Sequence, residues 1–175
     1  MINRDKFKKS ESFKNVEKDL SYIVSKIIED EELLKLLSLK ENEIGNLTQE
    51  EKRGIIKDCI RIIPLITDIE ETKPWAYITV QFTDFMQNGT NTEHRDKFLI
   101  FNIICHMDTW NMNDFKLRPY QIAGRLDVLF DKKALAGTYT INFLSAENLI
   151  LSEKIGGVAM AYLVTYSNAS DRHDG

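Results

Sequence analysis

LIFNIICHMDTWNMNDFKLRPYQIAGRLDVLFD, residues 99–131, changes its hydrophobic period in mid-course. Phe98 to Met107 is nearly all apolar, as expected for a strand covered on both faces or central in its sheet. Beyond a polar turn, Ile122, Leu126, Leu129 and Phe130 recur at the spacing of one helix face, with Pro119 suited to a first helical turn. The pattern predicts a strand over 98–107 and a helix over 114–133. The strand ends on His106, Asp108 and Trp110, so the junction reads either as a catalytic corner or as a structural one.

Upstream, Ala76, Ile78, Val80 and Phe82 alternate with Tyr77, Thr79, Gln81 and Thr83, which predicts a strand with one buried face. Phe85 to Asp96, FMQNGTNTEHRD, carries Asn88-Gly89 and reads as a long hairpin loop. Downstream, Tyr139–Leu144 and Val158–Tyr166 read as two further strands joined by SAENLILSEKIGG.

The N-terminal third is helical in period. Phe13, Val16, Leu20, Ile23, Val24, Ile27 and Ile28 share one face, with Lys14, Glu17, Lys18, Asp19 and Lys26 on the wet one. The apolar run continues through Leu33–Leu37 after a break near Glu29–Glu32. Thr48-Gln49-Glu50-Glu51 has the form of a capping box and opens a second helix with Ile55, Ile56, Cys59, Ile60 and Ile63 on its buried stripe, ended by Pro64.

The expected fold is α+β: a small, mostly antiparallel four-stranded sheet packed with helices and preceded by an N-terminal helical region. The expected organisation is a helical region over 1–63 packed on the main domain, a sheet domain over 64–167, and a flexible tail over 168–175.

Composition narrows the function. The chain has 23 basic and 27 acidic residues and a net charge of −4, which argues against a protein that grips nucleic acid by its phosphates. No stretch reaches the roughly 18 apolar residues of a membrane span, and MINRDKFKKSESF has no apolar signal core. Cys59 and Cys105, the only cysteines, sit among apolar neighbours and read as buried reduced thiols. No CxxC or HxxxH spacing supplies metal ligands, and no GxSxG elbow or phosphate-cradling loop is present. No cofactor or metal is expected.

Two clusters could carry chemistry. His106 and Asp108 lie two apart, which on one strand sets them side by side and not end to end as a base and its orienting carboxylate require. His94 sits in a mixed-charge loop, TEHRD, of a kind that more often makes partner contacts. The expectation is therefore no catalytic residue. Partner contacts are expected from Met86, Gln87, Asn88, Gly89, Glu93, His94 and Arg95.

The strand, polar turn and helix of residues 99–131, with IIPLITDIEETKPWAYITVQF leading into the first strand, are similar to the tail terminator and head-to-tail joining proteins of tailed bacteriophages. The helical region up to Ile63 is longer than that pattern needs. The resemblance implies a structural virion protein forming a ring at the neck or tail top, six subunits being expected, that links head to tail and lets DNA pass without specific binding. It implies as partners further copies of the chain and neighbouring neck, connector or tail-tube proteins, and no membrane. It places the protein in the virion, and in the host cytoplasm during assembly. It also implies that the His106–Asp108–Trp110 turn sets the helix against the sheet. The alternative is a non-viral α+β binding or regulatory module without catalytic activity; an enzyme using His106–Asp108 or the His94 loop ranks third.

Overall fold

The computed structural model describes residues 16–62, 74–87, 94–135 and 139–167. Three helices come first: α1 (Val16–Glu29), α2 (Glu31–Leu37) and α3 (Gln49–Cys59). The break near residue 30 has a local cause. Asp30 leaves the helical conformation, and its Oδ1 accepts from Leu33 N–H at 2.8 Å, so it ends α1 and caps α2. At α3 the capping box forms as spelled: Glu51 N–H donates to Thr48 Oγ1 at 3.2 Å, and Thr48 N–H donates to the Glu51 carboxylate at 2.8 Å.

The strands are β1 (Ile60–Arg61), β2 (Ala76–Gln87), β3 (His94–His106), β4 (Ala134–Leu135), β5 (Tyr139–Ile150) and β6 (Ile155–Ser167), with α4 (Arg118–Phe130) between β3 and β4. The α+β class stands, but the expected four-stranded antiparallel sheet does not. The sheet has six strands in the order β1-β2-β3-β6-β5-β4 and curls into a half-barrel. It is mixed, because β1 pairs with β2 in parallel, Ile60 beside Ile78 and Arg61 beside Thr79. The two extra strands are two residues each, too short to show a period of two, and Ile60 also fits the helical stripe of α3. That stripe ends at Cys59; Ile63 and Pro64 lie outside the described residues, as do the expected boundary at 63/64 and the tail over 168–175.

The strands also run further than the alternation suggested. β2 reaches Gln87 and β3 starts at His94, so the hairpin connection is confined to 88–93. β5 and β6 extend through most of the expected SAENLILSEKIGG connector and leave a tight turn at Leu151–Lys154. The helix predicted over 114–133 is the shorter α4, preceded by a 3-10 turn at Asn113–Phe115.

The core lies between helices and sheet. Ile23 and Ile27 of α1, Leu33, Leu34 and Leu37 of α2, and Ile122, Leu126 and Phe130 of α4 meet Ile78, Val80, Phe101, Ile103 and Tyr162 from the strands, all fully or almost fully buried. Each such side chain contributes about 1.5–3 kcal/mol by leaving water. Asp19, read as wet, is instead buried: Lys97 of β3 donates to its Oδ2 at 2.5 Å, and the Lys97 ammonium sits 3.9 Å from the Phe82 ring centroid.

Candidate interaction surface

The corner after β3 is built by hydrogen bonds. His106 ends the strand and caps a 3-10 turn over Met107–Thr109; its Nδ1 accepts from Asp108 N–H at 3.2 Å. His106 is buried, whereas Asp108 is 80% exposed with its carboxylate 3.5 Å from Nδ1. The two do not share a strand face as their spacing suggested, because Asp108 has already left the strand. The ring nitrogen is occupied by the turn it caps.

Arg118 carries α4 back onto this corner. Its N–H donates to Trp110 O at 2.8 Å and its Nε to Thr109 O at 2.8 Å. Its guanidinium also reaches Leu36 O at 2.7 Å and takes both carboxylate oxygens of Glu41, at 2.5 and 2.8 Å. One buried arginine thus ties the corner, α2 and the loop after α2 together. Burial pushes the Glu41 carboxyl up, but Arg118 outweighs it and holds the pKa below the ordinary value. Both thiols are held protonated, Cys59 pushed to about 11 and Cys105 to about 12, chiefly by burial. Cys105 is buried as expected, and Cys59 only partly so.

The acidic run at Glu29–Glu32 is also part of the structure. Asp30 and Glu32 hold Arg125 of α4, and Glu31 accepts from Leu47 N–H and from Lys52. Beside these pairs lies an open cleft of about 450 Å³, with Lys35, Glu41, Asn113, Lys116, Gln121 and Arg125 among its walls. At its rim Asp114 and Phe115 both adopt left-handed backbone, and the Phe115 side chain is fully exposed. Left-handed backbone in two consecutive residues that are not glycine is locally strained.

The expected contact residues sit at the hairpin end of the sheet. Met86 is exposed and, with Gln87, belongs to β2, while His94 and Arg95 belong to β3. Asn88, Gly89 and Glu93 lie outside the described residues.

The surface that the sequence concealed is β5. Its free side is covered at the start, Tyr139 by Leu135 and Thr140 by Ala134 of β4, Ile141 by the backbone of Lys132 and Lys133, and Phe143 N–H by the Asp131 carboxylate. Past a bulge at Leu144, its free side has no strand partner among the described residues. Leu151 N–H bonds inward to Ile155 O, so alternation turns the peptide groups of Ala146, Asn148 and Ile150 outward. Phe143, Leu144, Ile150 and Leu151 are exposed along it. Such edges are ordinarily guarded by lysine, proline or a covering element. Among the described residues one bulge is the only guard past Phe143, and Glu147 is the only charge between Ile141 and Leu151.

Among the described residues no group of three or more His, Cys, Asp or Glu side chains is placed to hold a metal ion, and no helix is long and apolar enough to cross a membrane. A protein-family model described as YomW matches residues 30–164, well over half of the 175 residues. No curated protein matches the chain.

Proposed function

The chain belongs to the YomW family, and from its geometry we propose that it is a structural subunit of a tailed-phage particle, forming a ring at the neck or tail top that joins head to tail. The observation that carries this reading is the open, apolar edge of β5. A protein built to work alone covers such an edge, whereas a subunit covers it on assembly. A ring requires unlike surfaces that meet head to tail and close, and a curled sheet supplies the necessary turn. The net charge of −4 suits a lumen through which DNA slides without being held.

The cleft beside α4 favours a second reading, a non-viral binding or regulatory module of the same fold. Light scattering on the purified protein together with negative-stain imaging separates the two. The ring reading expects closed particles with a mass several times 20.3 kDa. A monomer at every concentration, alone and with neck proteins, would overturn it.

A further inference from the structure

The residue rows of the sheet relate its two margins. Arg61 stands beside Thr79, Thr79 beside Asn102, Asn102 beside Ala159, and Ala159 beside Glu147. Arg61 and Glu147 therefore occupy one row at opposite margins. A second row runs through Lys97, Val164 and Ile141. At the β2 margin this row falls at Asp84 and Phe85, which lie in the register shift between Thr83 and Met86. At the β5 margin it falls at Lys132 and Lys133, whose backbone exchanges hydrogen bonds with Ile141.

Each row thus ends on opposite charges, and the sign reverses between rows. The β1–β2 margin carries Arg61 and then Asp84; the β5 margin carries Glu147 and then Lys132 and Lys133. The rows are about 17 Å apart, Asn102 to Lys97 along β3 at the strand rise. Strand direction agrees. β1 and β2 run parallel to each other and, through the alternation β2, β3, β6 and β5, opposite to β5. A second copy set alongside by rotation alone would extend the sheet with an antiparallel neighbour. Arg61 and Glu147 also share a face. Arg61 lies over the Tyr77 ring, and Glu147 points away from Asn148, which bonds Tyr120 of α4 on the helix side.

We propose that the β5 edge of one copy receives the β1–β2 margin of the next, with Glu147 meeting Arg61 and Lys132–Lys133 meeting Asp84. This deepens the ring reading and rests on it. The occupant is a second copy because the two margins of one chain match in sign, row and direction, and Arg61 and Glu147 also in face. The outward peptide groups of Ala146 and Asn148, which fall in the rows of Ile62 and Ile60, supply the main-chain hydrogen bonds, and the charged rows fix the register.

The test is charge exchange, read by light scattering and by the thermal midpoint of each variant. Glu147→Arg and Arg61→Glu should each weaken self-association at least tenfold. Equimolar mixing of the two variants, and the double variant, should restore it, since only a head-to-tail contact sets Arg against Glu at every joint. Ala146→Pro, which removes an outward N–H and leaves the β5–β6 ladder intact, should lower association while the monomer still melts cooperatively. If the wild type assembles but Arg61→Glu assembles equally well, this contact is wrong and the ring reading stands on another surface. Sensitivity to Glu147→Arg alone would indicate a two-fold β5–β5 pair and overturn the proposal. A wild type that stays monomeric overturns both.

Discussion

Lys97 of β3 and Asp19 of α1 form an ion pair at 2.5 Å with side chains 1% and 2% exposed, and this pair pins α1 to the middle of the sheet. Burial lowers the Lys97 pKa, and the neighbouring carboxylate works against that shift. Asp19→Ala leaves the ammonium in the core without its carboxylate and is expected to destabilise by about 3–5 kcal/mol. Asp19→Leu combined with Lys97→Met should recover most of that loss. Urea unfolding of both variants checks it, and a double variant no better than the single would show that the pair supports the fold in its own right.

At Arg118 the fork geometry matters as much as the charge. Arg118→Lys cannot hold Glu41, Leu36 O and Thr109 O together, and should lower stability by about 2 kcal/mol or more. A midpoint within a degree of wild type would show that the arginine does not tie the corner to α2.

Acid should loosen the same region. Glu41, Glu31 and Glu51 all have carboxyls held below the ordinary 4.5, Glu51 at about 2 through Lys40 and Thr48. A depressed carboxyl contributes stability that is present above its unfolded value and lost as pH falls through its folded one. Stability should therefore stay level from pH 7 to about 5 and decline below about 4.5. Glu41→Gln should be less stable at pH 7 and show a shallower decline. An unchanged slope in that variant would remove Glu41 from the account.

Two glycines should respond in opposite directions. A Cβ on Gly157 would lie 1.7 Å from Ile103 O, a backbone atom of the paired strand, so Gly157→Ala should cost about 3 kcal/mol or prevent folding. Around Gly124, in the middle of α4, a Cβ meets nothing within 4 Å, so Gly124→Ala should stabilise by about 1 kcal/mol. Thermal midpoints of the two variants decide it.

The corner should tolerate what its hydrogen bonds tolerate. Asn in place of His106 can accept from Asp108 N–H as a cap does, so His106→Asn with Asp108→Asn should cost about 1 kcal/mol and leave association intact. Leu126→Asp, with a carboxylate in the core, should yield no soluble folded protein. Loss of association in a folded double variant would return function to the corner.

The legible parts of this fold are those whose cause is local. The capping box at Thr48, the apolar faces of α1 and α4 and the alternation over 76–83 each follow from neighbours within a turn or a pleat. Asp19 was misread because its partner is 78 residues away. Asp30 too has a distant partner, since Arg125 reaches it from α4. The far half of β5 was taken for a connector because Ser145–Asn148 is exposed throughout and so shows no alternation to read. The edge that carries the proposed contact is thus hidden in the sequence by its own exposure. Of the expected contact residues, Met86 is exposed on β2, beside Asp84 of the proposed joint.

The order β2-β3-β6-β5 sets a timetable for synthesis. β3 can pair with β2 as soon as their hairpin emerges from the ribosome, but its other side waits for residues 155–167. Until then the apolar stretch Phe98–Cys105 of β3 is exposed along a full flank, which is when misassociation is most dangerous. The same delay bears on the proposed joint. The β5 edge has no fixed position until β6 has docked between β5 and β3, so the contact proposed above cannot form before the chain's own sheet is complete.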